Sequence, residues 1–314
     1  MEDKRFLDWI VRPKISGDRI EAEKIHNGKS WVENAKVMRD AEWSAMLEGM
    51  EPRTLWPKGT PGFAAENGQR EPSICVYPQQ RGGDPRGALI ICAGGGFLFK
   101  SVWEAEPVAR RFYEAGLATF ILDYRVQPCG IEHSLMDLTR AIRYVRCHAA
   151  ALNVKPDKIA VAGGSAGGQI AALAATLFDS GVPDADDPVE RVSSRPDAAI
   201  LSYAVTSASH AVTPVGTPFS FGEQSRQCAY SADKHLRPDC PPFFVWQTAA
   251  DDPRHACRFG TALADMGIPF ELHIFPEAPH GCGLADGGHR FAPYFRSTVR
   301  WSGMAAEFLE NLGF

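Results

Sequence analysis

One serine, a glycine triplet, two adjacent aspartates and a histidine are the residues of this chain best placed for chemistry. Ser165 sits in Gly163-Gly164-Ser165-Ala166-Gly167, between the apolar run KIAVAG and the helical run AGGQIAALAATLF. That is a G-x-S-x-G pattern with a strand before it and a helix after it, the setting of a nucleophilic serine on a sharp strand-to-helix turn. Glycines two before and two after the serine let the strand and helix backbones pass closely without a Cβ clash. A helix starting at the serine points free backbone N–H groups and its positive dipole end at a developing oxyanion. The competing reading is a tight turn with a solvent-exposed serine. A phosphate-cradling loop is disfavoured, because neither G-x-x-x-x-G-K-[ST] nor a G-x-G-x-x-G followed by an acid at the next strand end is present.

A second glycine cluster stands one strand-helix-strand unit earlier, Gly94, Gly95 and Gly96 in LIICAGGGFLFKS. In acyl transfer one oxyanion donor is the N–H after the nucleophile, here Ala166. The other comes from a loop after an earlier strand, which makes Gly95 and Gly96 the expected donors. Alone, the triplet reads equally as an ordinary strand-to-helix turn. Two such clusters at the ends of neighbouring strands face one crevice in a parallel sheet.

A serine nucleophile needs a base, and the base needs an acid to orient it, in the chain order Ser, acid, His. Of nine histidines, only His280 and His289 follow the last strand-like run, FELHIF. His280 lies in PEAPHGCG, a short Pro/Gly loop directly after that run, where the base is expected. His273 falls inside the run and is read as a packing residue, and His289 in GGHRF as a surface alternative. The run PFFVWQT ends in AADDPRH, with Asp251 and Asp252 side by side. Only one can point into the crevice. Asp251 is favoured as the acid and Asp252 as a cap of the following helix.

These residues have to be placed by larger elements. From residue 70 onward short apolar runs alternate with amphipathic ones. SICVY, GALIICA, LATFILDY, KIAVAG, AAILSY, PFFVWQT and FELHIF read as strands. EAEPVARRFYEAG, SLMDLTRAIRYVRCHAAAL, SAGGQIAALAATLF, HACRFGTALADMG and FRSTVRWSGMAAEFLENLG read as helices. The alternation predicts an α/β fold with a mostly parallel central sheet and helices on both faces. Runs that are apolar throughout suit central strands covered on both sides. Residues 1 to about 50 read as helical and charged, and the Pro-rich EPRTLWPKGTPGF as an extended connection. The expected division is a helical extension with its connection over 1–64 and a catalytic domain over 65–314.

At 314 residues the chain has room for one large core, and its 45% hydrophobic and 23% charged residues are ordinary for a globular protein. A net charge of -5 without basic runs argues against nucleic acid or an acidic membrane as partner. The N-terminus MEDKRFLDWIVRPK has no apolar signal core, and no stretch is long and apolar enough to span a bilayer, so a cytoplasmic location is expected. Eight cysteines without a CxxC pair read as reduced, small apolar residues. No metal or organic cofactor is expected, since neither HExxH nor CxxC occurs.

Taken together, LWPKGTPG, CAGGGF, EAEPVARRFYEAG, ILDYRV, DKIAVAGGSAGGQIAA, SADKHLRPDCPPFFVWQTAADD and PFELHIFPEAPHG resemble the α/β-hydrolase esterases related to acetyl xylan esterases and bifunctional feruloyl/acetyl-xylan esterases. The pieces span residues 55 to about 285. The resemblance implies an α/β-hydrolase fold, with Ser165 as nucleophile, Asp251 as acid and His280 as base. It implies a small-molecule ester as substrate, with acetyl esters of sugars or xylo-oligosaccharides foremost. Two departures stand out. Ala93 occupies the position before the glycines where the group shows Pro or His, and Arg254 and His255 replace a Val-Pro after the acid. Phe97 and Trp246 are candidates for a substrate-pocket lining. The leading 50 residues lie outside the resemblance and could cover the crevice, pack on the sheet or mediate homo-oligomerisation. The rival functions are a peptidase of the same fold and a non-catalytic binding protein that keeps the pocket. The chain is too short for the propeller of oligopeptidases, and all three triad residue types are present, so the esterase is preferred.

Overall fold

The alternating apolar runs assemble into one sheet. The structure is a computed structural model that describes residues 24–25, 29–77, 83–207, 228–290 and 292–314. The helical reading of residues 1–23 lies outside the described residues. Two short strands, β1 (Lys24–Ile25) and β2 (Lys29–Ser30), pair with each other and lead into helix α1 (Trp31–Glu48). Then come β3 (Glu51–Thr54), β4 (Ser73–Val76), β5 (Arg86–Cys92), α2 (Glu106–Glu114), β6 (Ala118–Asp123), α3 (Ile131–Cys147) and α4 (Ala149–Leu152). The chain continues through β7 (Val154–Gly164), α5 (Ser165–Ala174), β8 (Ala198–Ser202), β9 (Phe243–Thr248), α6 (Arg254–Asp265), β10 (Phe270–Phe275) and α7 (Trp301–Asn311).

The main sheet has 8 strands in the order β10-β9-β8-β7-β5-β6-β4-β3. Every neighbouring pair from β10 to β6 is parallel, and β4 and β3 close the far edge as antiparallel strands. After β5 the chain moves outward to β6 and then returns to the other side of β5 as β7. The order therefore reverses between β5 and β7, and the crevice beyond their carboxyl ends is where ligands bind in sheets of this kind. Cys92 pairs with Gly163, Gly163 with Leu201 and Ser202 with Trp246, so β5, β7, β8 and β9 end nearly level along one rim.

Strand residues alternate between two cores, as a period of two demands. On β5, Ala88, Ile90 and Cys92 enter one apolar cluster, with Leu138 and Ile142 of α3, Ile170 of α5 and Phe259 of α6. Leu89, Ile91 and Ala93 enter the other, with Trp43 of α1, Phe112 of α2 and Trp301 and Phe308 of α7. Helices thus cover both faces, the layering expected of the sequence. Within α1, Arg39, Trp43 and Leu47 are buried at spacings of four, one stripe of a helix. The Trp43 indole N–H donates to Asp123 at 2.9 Å, fastening α1 to the end of β6.

Several charged side chains buried beside the sheet are paired. Arg125, just past β6, makes a bidentate contact with Asp137 of α3, with its Nη2 2.6 Å from Oδ1, and both residues are buried. The Arg125 backbone N–H also donates to Asp137 at 2.8 Å, and its Nη1 donates to the Pro61 carbonyl at 2.7 Å. One arginine thereby joins the Pro-rich connection, the end of β6 and α3. Among the described residues, no helix is long and apolar enough to cross a membrane.

Candidate active site

β7 runs straight into α5 at Ser165. Its φ of 54° is a left-handed conformation that a serine rarely adopts, so the turn is strained. The flanking glycines explain how it closes. A Cβ on Gly163 would lie 2.3 Å from the Gly167 carbonyl, and one on Gly167 would lie 2.0 Å from the Cys92 carbonyl. Only glycine lets β5, β7 and α5 approach this closely. As the first residue of α5, Ser165 is followed by N–H groups that have no partner inside the helix, including that of Ala166.

The Ser165 Oγ lies 2.7 Å from His280 Nε2. His280 Nδ1 lies 2.7 Å from Asp251 Oδ2. The three side chains come from three strand ends, after β7, β9 and β10. Asp252 points elsewhere. Its Oδ1 accepts from the Arg254 backbone N–H at 3.1 Å and its Oδ2 pairs with the Arg254 guanidinium at 2.6 Å, so it is held by the first residue of α6. His289 stacks on Trp103, with ring centroids 5.1 Å apart, and His273 lies 3.0 Å from Glu271 with its ring against Phe244.

Burial opposes charge on both members of the Asp251–His280 pair, but each overcomes it in the other. The imidazole charge and hydrogen bond hold the Asp251 carboxyl below its ordinary range. The Asp251 charge and hydrogen bond, with a further contribution from Glu104, lift His280 above its ordinary value against desolvation. Close by, His255 of α6 is driven the other way, mainly by burial.

The glycine triplet leaves β5 on the same rim. Gly95 has φ 134° and Gly96 φ 60°, and a Cβ on Gly95 would meet the Phe99 carbonyl at 2.1 Å. The turn is pinned where the Tyr124 hydroxyl donates to the Ala93 carbonyl at 2.5 Å and the Ser101 N–H donates to Gly94 at 2.9 Å. Among the described residues, the Gly95 and Gly96 N–H groups make no hydrogen bond.

One expectation needs correction. Trp246 is fully buried within the sheet, stacks on Trp301 and donates its indole N–H to Ser202 at 2.7 Å, so it is a core residue and lines no substrate pocket. Phe97 is 6% exposed and belongs to the core on the α3 and α5 face. Both sit beside strand ends, where a large aromatic fills the space under a turn. Residue spacing did not single out Glu104 and Tyr203, which lie buried beneath the Ser165 turn and hydrogen-bond each other at 2.8 Å. Their partners are distant in sequence, so no local pattern marks them. Among the described residues, no group of three or more His, Cys, Asp or Glu side chains could hold a metal ion.

The BD-FAE family model matches residues 75–256, more than half of the chain. The chain belongs to the BD-FAE family. Among solved structures, this BD-FAE member is similar to an acetyl ester-xyloside bifunctional hydrolase from Caldicellulosiruptor lactoaceticus, at 33% identity and a TM-score of 0.76 over 84% of this chain and 97% of that one. It is also similar to Thermogutta terrifontis esterase 2, at 26% identity and a TM-score of 0.66 over 85% of this chain and 96% of the other. These neighbours and the sheet order give it the α/β-hydrolase fold. Among curated proteins it is 31% identical to endo-1,4-beta-xylanase B of Butyrivibrio fibrisolvens over 64% of this chain and 33% of the relative. It is 24% identical to an acetylxylan esterase of Xylanibacter ruminicola over 67% of this chain and 43% of the relative. The chain thus spans less than half the length of these curated relatives. Further relatives carry the name esterase, among them esterase LipQ of Mycobacterium tuberculosis, 30% identical over 63% of this chain and 50% of the relative.

Proposed function

We propose that this protein is a serine carboxylesterase that cleaves short acyl esters through Ser165, His280 and Asp251. The observation that carries the reading is the unbroken relay from Ser165 Oγ to His280 Nε2 to Asp251 Oδ2, each contact 2.7 Å long, behind a serine held at positive φ. His280 takes the proton of Ser165 as Oγ attacks the ester carbonyl. The N–H groups of Ala166 and of Gly95 or Gly96 receive the oxyanion. Asp251 accepts from Nδ1–H, which keeps Nε2 free as the base and stabilises the imidazolium that forms. His280 then protonates the leaving alcohol, and water repeats the sequence on the acyl-enzyme.

Acetyl esters of sugars or xylo-oligosaccharides are the proposed substrates. That choice is supported by the names of the bifunctional acetyl ester-xyloside hydrolase and the acetylxylan esterase to which the chain is similar. The test is release of acetate from acetylated xylo-oligosaccharides, beside 4-nitrophenyl acetate, by the wild type and Ser165→Ala. Turnover of both by the wild type and of neither by the variant is the expected result. Turnover of the nitrophenyl ester alone would remove the sugar assignment, and turnover of neither would remove the esterase.

A further inference from the structure

Glu104 is a carboxylate with no place in the relay, yet it is buried in the centre of the site. It lies just before α2, with 5% of its surface exposed. A Cβ on Gly164 would lie 2.3 Å from Glu104 Oε1, and one on Gly94 would lie 2.7 Å from Oε2. The carboxylate therefore fills the space between the turn that carries Ser165 and the turn that carries Gly95 and Gly96. Its Oε1 accepts from the Tyr203 hydroxyl at 2.8 Å. Tyr203 extends the contact to the third loop. Its hydroxyl accepts from the Gly283 N–H at 3.1 Å, three residues past His280, and its ring meets the His280 ring edge-on with centroids 5.3 Å apart. Because the hydroxyl accepts from Gly283, its own proton goes to Glu104. Tyr203 holds φ 38°, a conformation costly for a bulky side chain, directly at the end of β8. A small cavity beneath the turn is lined by Glu104, Gly163, Gly164, Ser202, Tyr203 and Trp301.

We infer that Glu104, acting with Tyr203, is a positioning residue that holds the oxyanion loop, the Ser165 turn and the His280 loop in one register. The inference rests on the proposed esterase reading. The Tyr203 hydroxyl donates to Glu104, so the carboxylate acts there as an acceptor. Burial raises its carboxyl above the ordinary carboxylate value, and the neighbouring Tyr203, Ser101 and Gly94 oppose that only in part. The titratable groups around this centre are Asp251 and Glu104 facing His280, His255 on α6, and the buried Tyr203 and Cys282 beside Glu104. Glu104 adds negative charge near the imidazole and helps to raise it. Removing that charge disfavours the imidazolium, so the base stays neutral to lower pH.

The test compares the wild type, Glu104→Gln, Tyr203→Phe and Ser165→Ala on 4-nitrophenyl acetate, with active sites counted by a fluorophosphonate and folding followed by thermal unfolding. Tyr203→Phe keeps the ring and loses both hydroxyl contacts. Each of Glu104→Gln and Tyr203→Phe is expected to lower kcat per titrated site by about 10²-fold with little change in KM, the effect of a small misplacement of reacting groups. The acid limb of kcat/KM should also move to lower pH in Glu104→Gln. The inference is overturned if both variants keep the wild-type kcat and acid limb, or if the losses vanish once rates are expressed per titrated site. A folded wild type that neither turns over ester nor takes up the fluorophosphonate would instead sink the esterase reading, and this inference with it.

Discussion

The two aspartates at the end of β9 separate by partner. Asp251 lies 2.7 Å from the imidazole, while Asp252 is held by Arg254 at the start of α6. Asp251→Asn should reverse the imidazole tautomer and cut kcat by about 10⁴-fold. Asp252→Ala should retain turnover and lose about 1 kcal/mol of stability as its bond to the start of α6 is removed. Steady-state kinetics and denaturant unfolding of the two variants check the contrast, and equal kinetic losses would refute it. The pH dependence follows from His280, which must be neutral to act as base. Asp251 and Glu104 lift its pKa above the ordinary histidine value against the effect of burial. The kcat/KM of the wild type should therefore fall as pH drops through a point above that ordinary value. An acid limb below it would contradict the reading. Ser165 and His280 could be singled out from sequence because each sits in a short pattern after a strand. Choosing between adjacent aspartates needed the direction of their side chains, which no pattern encodes.

Elements meet here with almost no clearance, and that can be measured. In Gly167→Ala the new Cβ would fall 2.0 Å from the Cys92 carbonyl, a rigid backbone atom of β5. Either β5 or α5 must shift, at a cost of at least about 1–3 kcal/mol, and Ser165 shifts with α5. Soluble expression, unfolding midpoint and turnover should all decline, and an unchanged midpoint would show that the contact is looser than described. Farther from the site, Asp137→Ala strands the buried guanidinium of Arg125 and should cost about 3–5 kcal/mol in denaturant unfolding. The strands from β4 to β10 stand out in the sequence because they are short apolar runs bounded by turn residues. β3 does not, since Glu51-Pro52-Arg53-Thr54 has no apolar run and owes its form to pairing with β4. Likewise, strand-end aromatics look alike in sequence whether they face a crevice or a core. The fully buried Trp246 shows how burial settles that question.

For the molecule as a whole, α1 is part of the body built on the sheet. Trp43 is 4% exposed, enters the same core as Phe112 and Trp301, and donates to Asp123. Trp43→Ala should lower global stability by about 3–5 kcal/mol, the usual cost of emptying an aromatic site. The change should appear as a shift of one unfolding transition monitored by circular dichroism. A separate early transition would show that α1 unfolds independently of the sheet. The groups in the proposed reaction come from the ends of four strands, β5, β7, β9 and β10, so the site requires the parallel region to fold. That long-range assembly is what sequence spacing conveys least, and it explains why Glu104 and Tyr203 emerge only in three dimensions.

The proposed chemistry rests on Ser165 as the nucleophile. The most direct measurement is to treat the folded protein with a fluorophosphonate and locate the adduct by peptide mass spectrometry, following esterase activity in parallel. The expected result is one adduct, on Ser165, formed in step with loss of activity and absent from Ser165→Ala. Full activity with Ser165 unmodified, or inactivation by an adduct on another residue, would contradict it.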